Sequence, residues 1–429
     1  MLTFLGFAMV MTFMYLIMTK RLSALIALII VPITFALIGG FAAGIGPMML
    51  EGIGKLAPTG VMLMFAILYF ALMIDSGLFD PAVRAILRMV KGDPLKVSMG
   101  TAALALIRER VLKRLQGQRP AAVAHRVVHG GQHYFAPTLV TQRVIDELRG
   151  YIPLAPLHQP FPLKAMSLLM QQHPDVPQVA VFDTAFHRTA EPVEQMFALP
   201  WSAWERGVRR YGFHGLSYHY MGHALPERHG DAARGRTIVA HLGSGASLCA
   251  MQGLKSVATT MGFSALDGLM MGTRCGALDP GAVIYLMQIE KLSLDEVARM
   301  LYQDSGLLGV SSVSPDPRVL LPLEHENERV RTALALYVRR IVREIGALAA
   351  VLGGLDMLVF TAGIGENNAE LRRLVCVLLG WLGLNLDQDA NASHAAVIST
   401  SASRVLVGVE PTNEEWIAAS QATRLLAQG

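Results

Sequence analysis

The stretch Thr237-Ile-Val-Ala-His-Leu-Gly-Ser-Gly-Ala-Ser247 decides how this chain is read. An apolar, β-rich run leads through His241 into a turn of small residues. Gly243 and Gly245 let backbone N–H groups converge on an anion, and Ser244 and Ser247 add hydroxyl donors. A tight β-hairpin explains the same residues, and the stretch alone does not choose between the two. A second unit, Phe360-Thr-Ala-Gly-Ile-Gly-Glu-Asn367, follows another apolar run and precedes a helical pattern. Gly363 and Gly365 permit close approach of a nucleotide, and a helix start there favours negative charge.

Working outward, Ala121–Val128, Gln178–Phe182 and Met357–Phe360 are short β-rich runs that end at Gly- or His-rich turns. Glu328–Leu352 and Glu370–Leu379 are apolar at i, i+3 and i+4, the helical period. Ser293-Leu-Asp-Glu296 is a helix-start signal with acids in the first turn. Strands that alternate with helices and feed loops predict an α/β protein.

Two arginines stand in unusual settings. Arg126 lies between His125 and His129, just before Gly130-Gly131, and Arg274 sits in Met-Met-Gly-Thr-Arg-Cys-Gly. A planar guanidinium matches the equatorial oxygens of a phosphoryl group in transfer. A surface salt bridge is the plain alternative for each. Asp183 ends a strand, where it suits an arginine or a metal-bound water. His158, His187 and His214 occupy loop-like contexts, in which a structural histidine is the commoner case.

The N-terminal quarter reads differently. Residues 1–19, 22–50 and 56–74 carry no charged side chain, and each run has the roughly 20 residues a membrane-crossing helix needs. Three transmembrane helices are therefore expected. Lys20-Arg21 and the later Arg84, Arg88, Lys91 and Lys96 place the N-terminus outside and residues beyond the third run in the cytoplasm. Val97–Ile107 reads as a fourth apolar run cut short at Arg108. Across all 429 residues the net charge is only +4, and no basic patch interleaved with aromatics points to nucleic acid. The three cysteines, Cys249, Cys275 and Cys376, lack metal-ligand spacing and suggest a reducing compartment.

Taken together, the motifs carry a resemblance. Ala-His-Arg-Val-Val-His-Gly-Gly, Leu-Ala-Pro-Leu-His, Val-Phe-Asp-Thr-Ala-Phe-His and Arg-Arg-Tyr-Gly-Phe-His-Gly occur in that order. His-Leu-Gly-Ser-Gly-Ala-Ser-Leu, Met-Gly-Thr-Arg-Cys-Gly, Gly-Ile-Gly-Glu-Asn and Pro-Thr-Asn-Glu-Glu follow. From about Val111 to the C-terminus this set resembles the acetate kinase family. The resemblance implies a two-domain, actin-like and sugar-kinase-like ATPase fold over 108–429. It also implies in-line transfer of a phosphoryl group from ATP to acetate, giving acetyl phosphate and ADP, with Mg2+ as cofactor and a homodimer as a possible assembly. Residues 1–107 resemble the start of a citrate–metal:proton symporter.

Carried over by that resemblance, Arg126 and Arg274 hold the acetate carboxylate and the transferring phosphoryl. His214 donates to that group, Asp183 orients the site and Glu414 helps to hold Mg2+. His158 lies near the substrate, and Val128, Leu157 and Phe213 wall the methyl pocket. His241, Gly243, Ser244 and Gly245 face the phosphates. Asp316, Arg318, Gly363, Ile364, Gly365, Glu366 and Asn367 surround the adenosine.

Departures from the family pattern set alternatives beside this expectation. The family's opening strand and phosphate turn have no equivalent here, so the first strands of the kinase-like part are expected to be missing. Ser244, Ala265, Pro317, Leu216, Tyr218, Cys275 and Ala362 each replace a different family residue. One alternative is a non-catalytic fusion remnant of a transporter and a kinase. A lesser one is a propionate or butyrate kinase, because Ala265 enlarges the methyl pocket. The expected location is the membrane with the kinase-like part cytoplasmic, or the cytoplasm where the N-terminal segment does not insert.

Overall fold

The computed structural model describes residues 2–19, 24–44, 46, 120–156 and 158–428. The chain divides into two units, Met1–Gln118 and Arg119–Gly429.

In the first unit the described elements are two helices, α1 (Leu2–Met18) and α2 (Ala24–Ile38), packed against each other. Both are apolar throughout, as expected, but their lengths correct the expectation of membrane spans. At 17 and 15 residues they reach about 25 Å and 22 Å, short of the roughly 30 Å of a hydrocarbon core. Among the described residues no helix is long and apolar enough to cross a membrane. The physical reason for α2 is local. Pro32 removes a hydrogen bond within it, and Gly40, at φ +82°, turns the chain out of the helix. The third apolar run and the stub at 97–107 lie outside the described residues.

Among its described residues the second unit carries eight strands. Its helices used below are α3 (Gln142–Arg149), α4 (Pro160–Gln172), α5 (Gly215–His229), α6 (Pro280–Gln288) and α7 (Leu294–Gln303). They continue as α8 (Glu328–Leu352), α9 (Ala362–Asn367), α10 (Ala369–Leu378) and α11 (Glu414–Ala427).

The larger sheet has the order β6-β5-β4-β7-β8. At its centre β4 (Thr237–Leu242) runs parallel to β7 (Met357–Thr361), which runs parallel to β8 (Leu406–Val409). On the other side β5 (Ala246–Gln252) and β6 (Lys255–Thr259) pair antiparallel. Every residue of β4 and β7 is buried, which suits their unbroken apolar runs covered on both faces. Ile238, Ala240, Leu358 and Phe360 pack with Leu334, Ile341 and Ile345 of α8. Val239 and Val359, pointing the other way, pack with Tyr218, Met221 and Leu225 of α5.

The smaller sheet has the order β1-β3-β2, with β3 (Gln178–Phe182) between parallel β1 (Val123–Val127) and antiparallel β2 (Thr138–Leu139). One face packs on Ile145 and Leu148 of α3 and Met166 of α4. The other packs on Ile417 of α11 and Leu216 of α5. Helix α5 thus contributes to the cores of both sheets, so its first turn lies between them.

Candidate active site

The C-terminal ends of the parallel strands supply the reactive groups, the place where open α/β sheets bind ligands. Arg126 comes from the end of β1 and Asp183 from the residue after β3. The Arg126 guanidinium takes both oxygens of Asp183, Nε at 3.1 and 3.0 Å and Nη2 at 2.6 Å. Its Nη1 lies 3.1 Å from Glu414 Oε2, in the first turn of α11. Asp183 raises the Arg126 pKa further above its ordinary value. Burial pushes the Glu414 carboxyl up to about 7, helped by Asp183 and Glu415 and opposed by Arg126. The Glu414 carboxyl therefore favours its protonated form despite the guanidinium beside it.

His214 is placed by backbone. Gly215 N donates to the Asp183 carbonyl at 2.9 Å, and a Cβ on Gly215 would stand 2.0 Å from that oxygen, so only glycine fits. His214 itself is bent to φ +58° at the start of α5. Its ring stacks on His241, centroids 4.1 Å apart and planes 17° apart. Its Nδ1 is 2.7 Å from Ser247 Oγ. The His241 Nδ1 is 2.9 Å from Ser217 Oγ. Burial, then His241, Arg126 and Arg274, hold His214 well below the usual imidazole range, and burial with Arg126 pushes His241 down to about 3. Both rings are neutral at pH 7.

Arg274 is the opposite of Arg126. Its Nη1 donates to the Ala265 carbonyl at 2.7 Å, and among the described residues it forms no ion pair. Burial pushes its pKa down. His158 is lowered by burial and by both arginines, which places it in the same field. A Cβ built on Gly245 would lie 3.2 Å from His214 Nε2 and 3.3 Å from Arg274 Nη2. The missing side chain of Gly245 thus leaves a cradle between a neutral imidazole nitrogen and a cation with open donors.

The two glycine turns face one another. Gly243 N donates to Gly245 O at 3.0 Å, closing the β4–β5 hairpin, so the hairpin and the anion-facing turn are the same object. A Cβ on Gly243 would lie 3.7 Å from the methyl of Ala362. Ala362 is held at φ +65°, a left-handed conformation that costs an alanine about 1–2 kcal/mol. Gly365, Glu366 and Asn367 belong to the short helix α9, and Gly363 has open space where a Cβ would go. Glu366 Oε1 accepts from Ala362 N at 2.8 Å and from Thr412 N at 3.2 Å, tying this turn to the segment before α11. Ile364 packs against the main core. Ser244 is exposed at the tip of the first turn.

Asp316 and Arg318 pair with each other on the surface, Nη2 to Oδ2 at 2.6 Å, and Asp316 caps the turn that begins at Pro317. Val128 and Phe213 pack in one cluster with Ala265, while Leu157 lies outside the described residues. His187 is a buried structural residue, bonded to Phe213 O and Ser256 Oγ, each at 2.9 Å.

Sequence reading missed several supporting groups. Arg372 is fully buried without a carboxylate partner among the described residues. Its donors reach Gly365 O at 2.8 Å, Glu366 O at 2.7 Å and Asn391 Oδ1 at 2.9 Å, so it clamps the end of α9. A lone arginine in a helical pattern carries no signal of that role. Tyr218 and Thr412 likewise act through contacts distant in sequence.

The acetokinase family profile matches residues 90–420. Acetate kinase from Rhodopseudomonas palustris is 52% identical over 314 residues, covering 72% of this chain and 78% of that protein. Acetate kinase from Methylocella silvestris is 50% identical, covering 72% and 76%. Among solved structures, acetate kinase from Porphyromonas gingivalis superimposes with a TM-score of 0.69 at 38% identity, covering 75% of this chain and 84% of that one. A propionate kinase from Francisella tularensis gives 0.70 at 33% identity, covering 74% and 83%. The mixed α/β architecture is the actin-like ATPase fold of these kinases. With the match extending through both sheets and every turn described above, this chain is a kinase that belongs to the acetokinase family.

Proposed function

We propose that the chain transfers the terminal phosphoryl group of ATP to acetate, forming acetyl phosphate and ADP. The observation that carries this reading is the Gly245 cradle, with Arg274 Nη2 and His214 Nε2 on its walls. An acetate oxygen bonds to the γ-phosphorus as the bond from phosphorus to the β–γ bridging oxygen breaks, and ADP leaves with that electron pair. Charge spreads over the equatorial oxygens during transfer, where a cation with open donors and a neutral N–H act best. Arg126, held rigidly by Asp183, orients the acceptor carboxylate, and Val128, Phe213 and Ala265 enclose its methyl group. The turns at Gly243–Gly245 and Gly363–Asn367 receive the nucleotide.

Mg2+ fits the donor set. Among the described residues no group of three or more His, Cys, Asp or Glu side chains gathers for a metal. Magnesium needs only one or two carboxylates besides phosphates and water. Asp183 and Glu414 provide two, with a single guanidinium between them. Bound there, the ion neutralises charge on the phosphates.

The test is acetyl phosphate formation from ATP and acetate by the purified chain, with Arg274→Ala as control. Production indistinguishable from that control sinks the proposal. That outcome would favour the second reading, a fusion remnant without activity, whose support is β1: among the described residues it has a neighbour on one side only. A larger acyl acceptor is favoured by Ala265 and by the likeness to a propionate kinase. It requires that Ala265→Pro lower propionate use relative to acetate. Helix α6 buries none of its residues, and Ile284 and Tyr285 on it, with Ile289 and Leu294 just beyond it, are exposed apolar side chains. We assign these side chains to contact with a second copy of the chain, so sedimentation should show a dimer.

A further inference from the structure

We propose that Tyr218 is a positioning residue that sets the tautomer of His214 through Ser247, so that the imidazole presents Nε2–H to the transferred group. The proposal rests on the reading of His214 as a donor in phosphoryl transfer.

The hydroxyl of Tyr218 lies 2.5 Å from Ser247 Oγ, and Ser247 Oγ lies 2.7 Å from His214 Nδ1. Tyr218 and Ser247 are both fully buried. Ser247 Oγ is the only acceptor within reach of the phenol among the described residues. A buried hydroxyl left without an acceptor costs more than an ordinary hydrogen bond gains, so the phenol donates to Ser247. Ser247 has one proton of its own, and the remaining neighbour is His214 Nδ1. The proton therefore goes to Nδ1, which must be the bare nitrogen of a neutral ring. The ring's own hydrogen is left on Nε2, the atom that faces the Gly245 cradle beside Arg274.

If Nδ1–H donated instead, either the phenol proton or, with Ser247 accepting from both neighbours, the Ser247 proton would be left unpartnered, and the His214 lone pair would point at an anion. Each alternative carries two faults, so the relay has one favoured direction. The neighbouring ring is built alike. Thr412 Oγ1 donates to Ser217 Oγ at 2.9 Å, and Ser217 Oγ meets His241 Nδ1 at 2.9 Å. Two stacked imidazoles are thus each held from behind by a pair of hydroxyls.

Tyr218→Phe removes one oxygen and keeps the ring in its packing. The full chain is labelled with 15N-histidine, and the His214 signals are identified by their loss in His214→Gln. In the parent, long-range 1H–15N spectra should show a bare Nδ1 and a protonated Nε2. In Tyr218→Phe, Ser247 is free to accept as well as donate, so both nitrogen shifts should move toward each other as the second tautomer appears. For an active enzyme, kcat should fall about tenfold, the worth of one hydrogen bond, with KM for ATP and acetate unchanged within about twofold. A parent ring protonated on Nδ1, or unchanged nitrogen shifts in Tyr218→Phe, overturns the proposal. Should that variant not fold, Ser247→Ala is measured in its place with the same expected shifts. A parent that makes no acetyl phosphate sinks the proposed reaction, while the nitrogen shifts still decide the relay.

Discussion

Arg126 and Arg274 approach one site from opposite electrostatic circumstances. The first is locked between two carboxylates at the end of the small sheet. The second, from the loop that follows β6, has a single carbonyl oxygen and the field of burial against it. A guanidinium paired with two acids is fixed in place and keeps only part of its donors for a ligand; an unpaired one has most of them left for charge that appears during a reaction. The contrast separates an arginine that builds the site from one that works in it.

The largest effect should come from the unpaired partner. Arg274→Ala should lower kcat by about 10³-fold, the scale for removing a cation from a transferring phosphoryl group. Its thermal unfolding should be unchanged or slightly raised, since no carboxylate loses a partner. A melting point lowered by many degrees would break the contrast. Arg126→Ala should cost both rate and stability. It leaves Asp183 and Glu414 facing each other, a loss of about 2 kcal/mol. The exposed part of Arg126, at 45%, keeps this below the figure for a fully buried pair. Chemical denaturation of the two variants side by side reads this directly.

Glu414 sharpens the comparison through pH. Its carboxyl rises from 4.5 to about 7 in the folded chain, so the folded state holds the proton that the unfolded state gives up. Its contribution to the stability of the ligand-free protein is therefore complete below pH 4.5 and lost as pH rises through about 7. Magnesium competes with that proton. The Mg2+ concentration for half-maximal activity should fall as pH rises from 6 to 8, by up to about tenfold per unit below the pKa. Glu414→Gln should flatten the slope. A steep slope retained in that variant would assign the proton elsewhere.

The smallest effect lies in the turns. Ala362→Gly should raise stability by about 1 kcal/mol, part of the left-handed penalty returning as chain entropy in the unfolded state. For a unit of this size that is a rise in Tm of about 1–2 °C.

Much of the frame that carries this contrast was legible in the sequence, and the reasons are local. The 25-residue helix α8 carries its period in its own residues, and the capping box at Ser293–Glu296 lies within one turn. The glycine turns announce themselves because only small residues allow their backbone. What stayed hidden depends on partners far along the chain. Nothing near Arg126 tells that Glu414 will meet it, and nothing near Arg274 tells that no acid will. The hydroxyls of Tyr218 and Thr412 gained meaning only when α5 was laid against β5 and the segment before α11. The N-terminal runs show the converse error. Counting uncharged residues gave spans, but Pro32 and the Gly39-Gly40 pair set where α2 loses its bonds and stops.

The Cβ that a substitution at Gly243 would add stands at ordinary contact distance from the Ala362 methyl, 3.7 Å, and closer, at 3.3 Å, to the Gly245 carbonyl of its own turn. The two turns are therefore free to change separately: a side chain at 243 meets its own hairpin before it meets the methyl at 362. Gly243→Ala should cost the same stability in the parent and on an Ala362→Gly background.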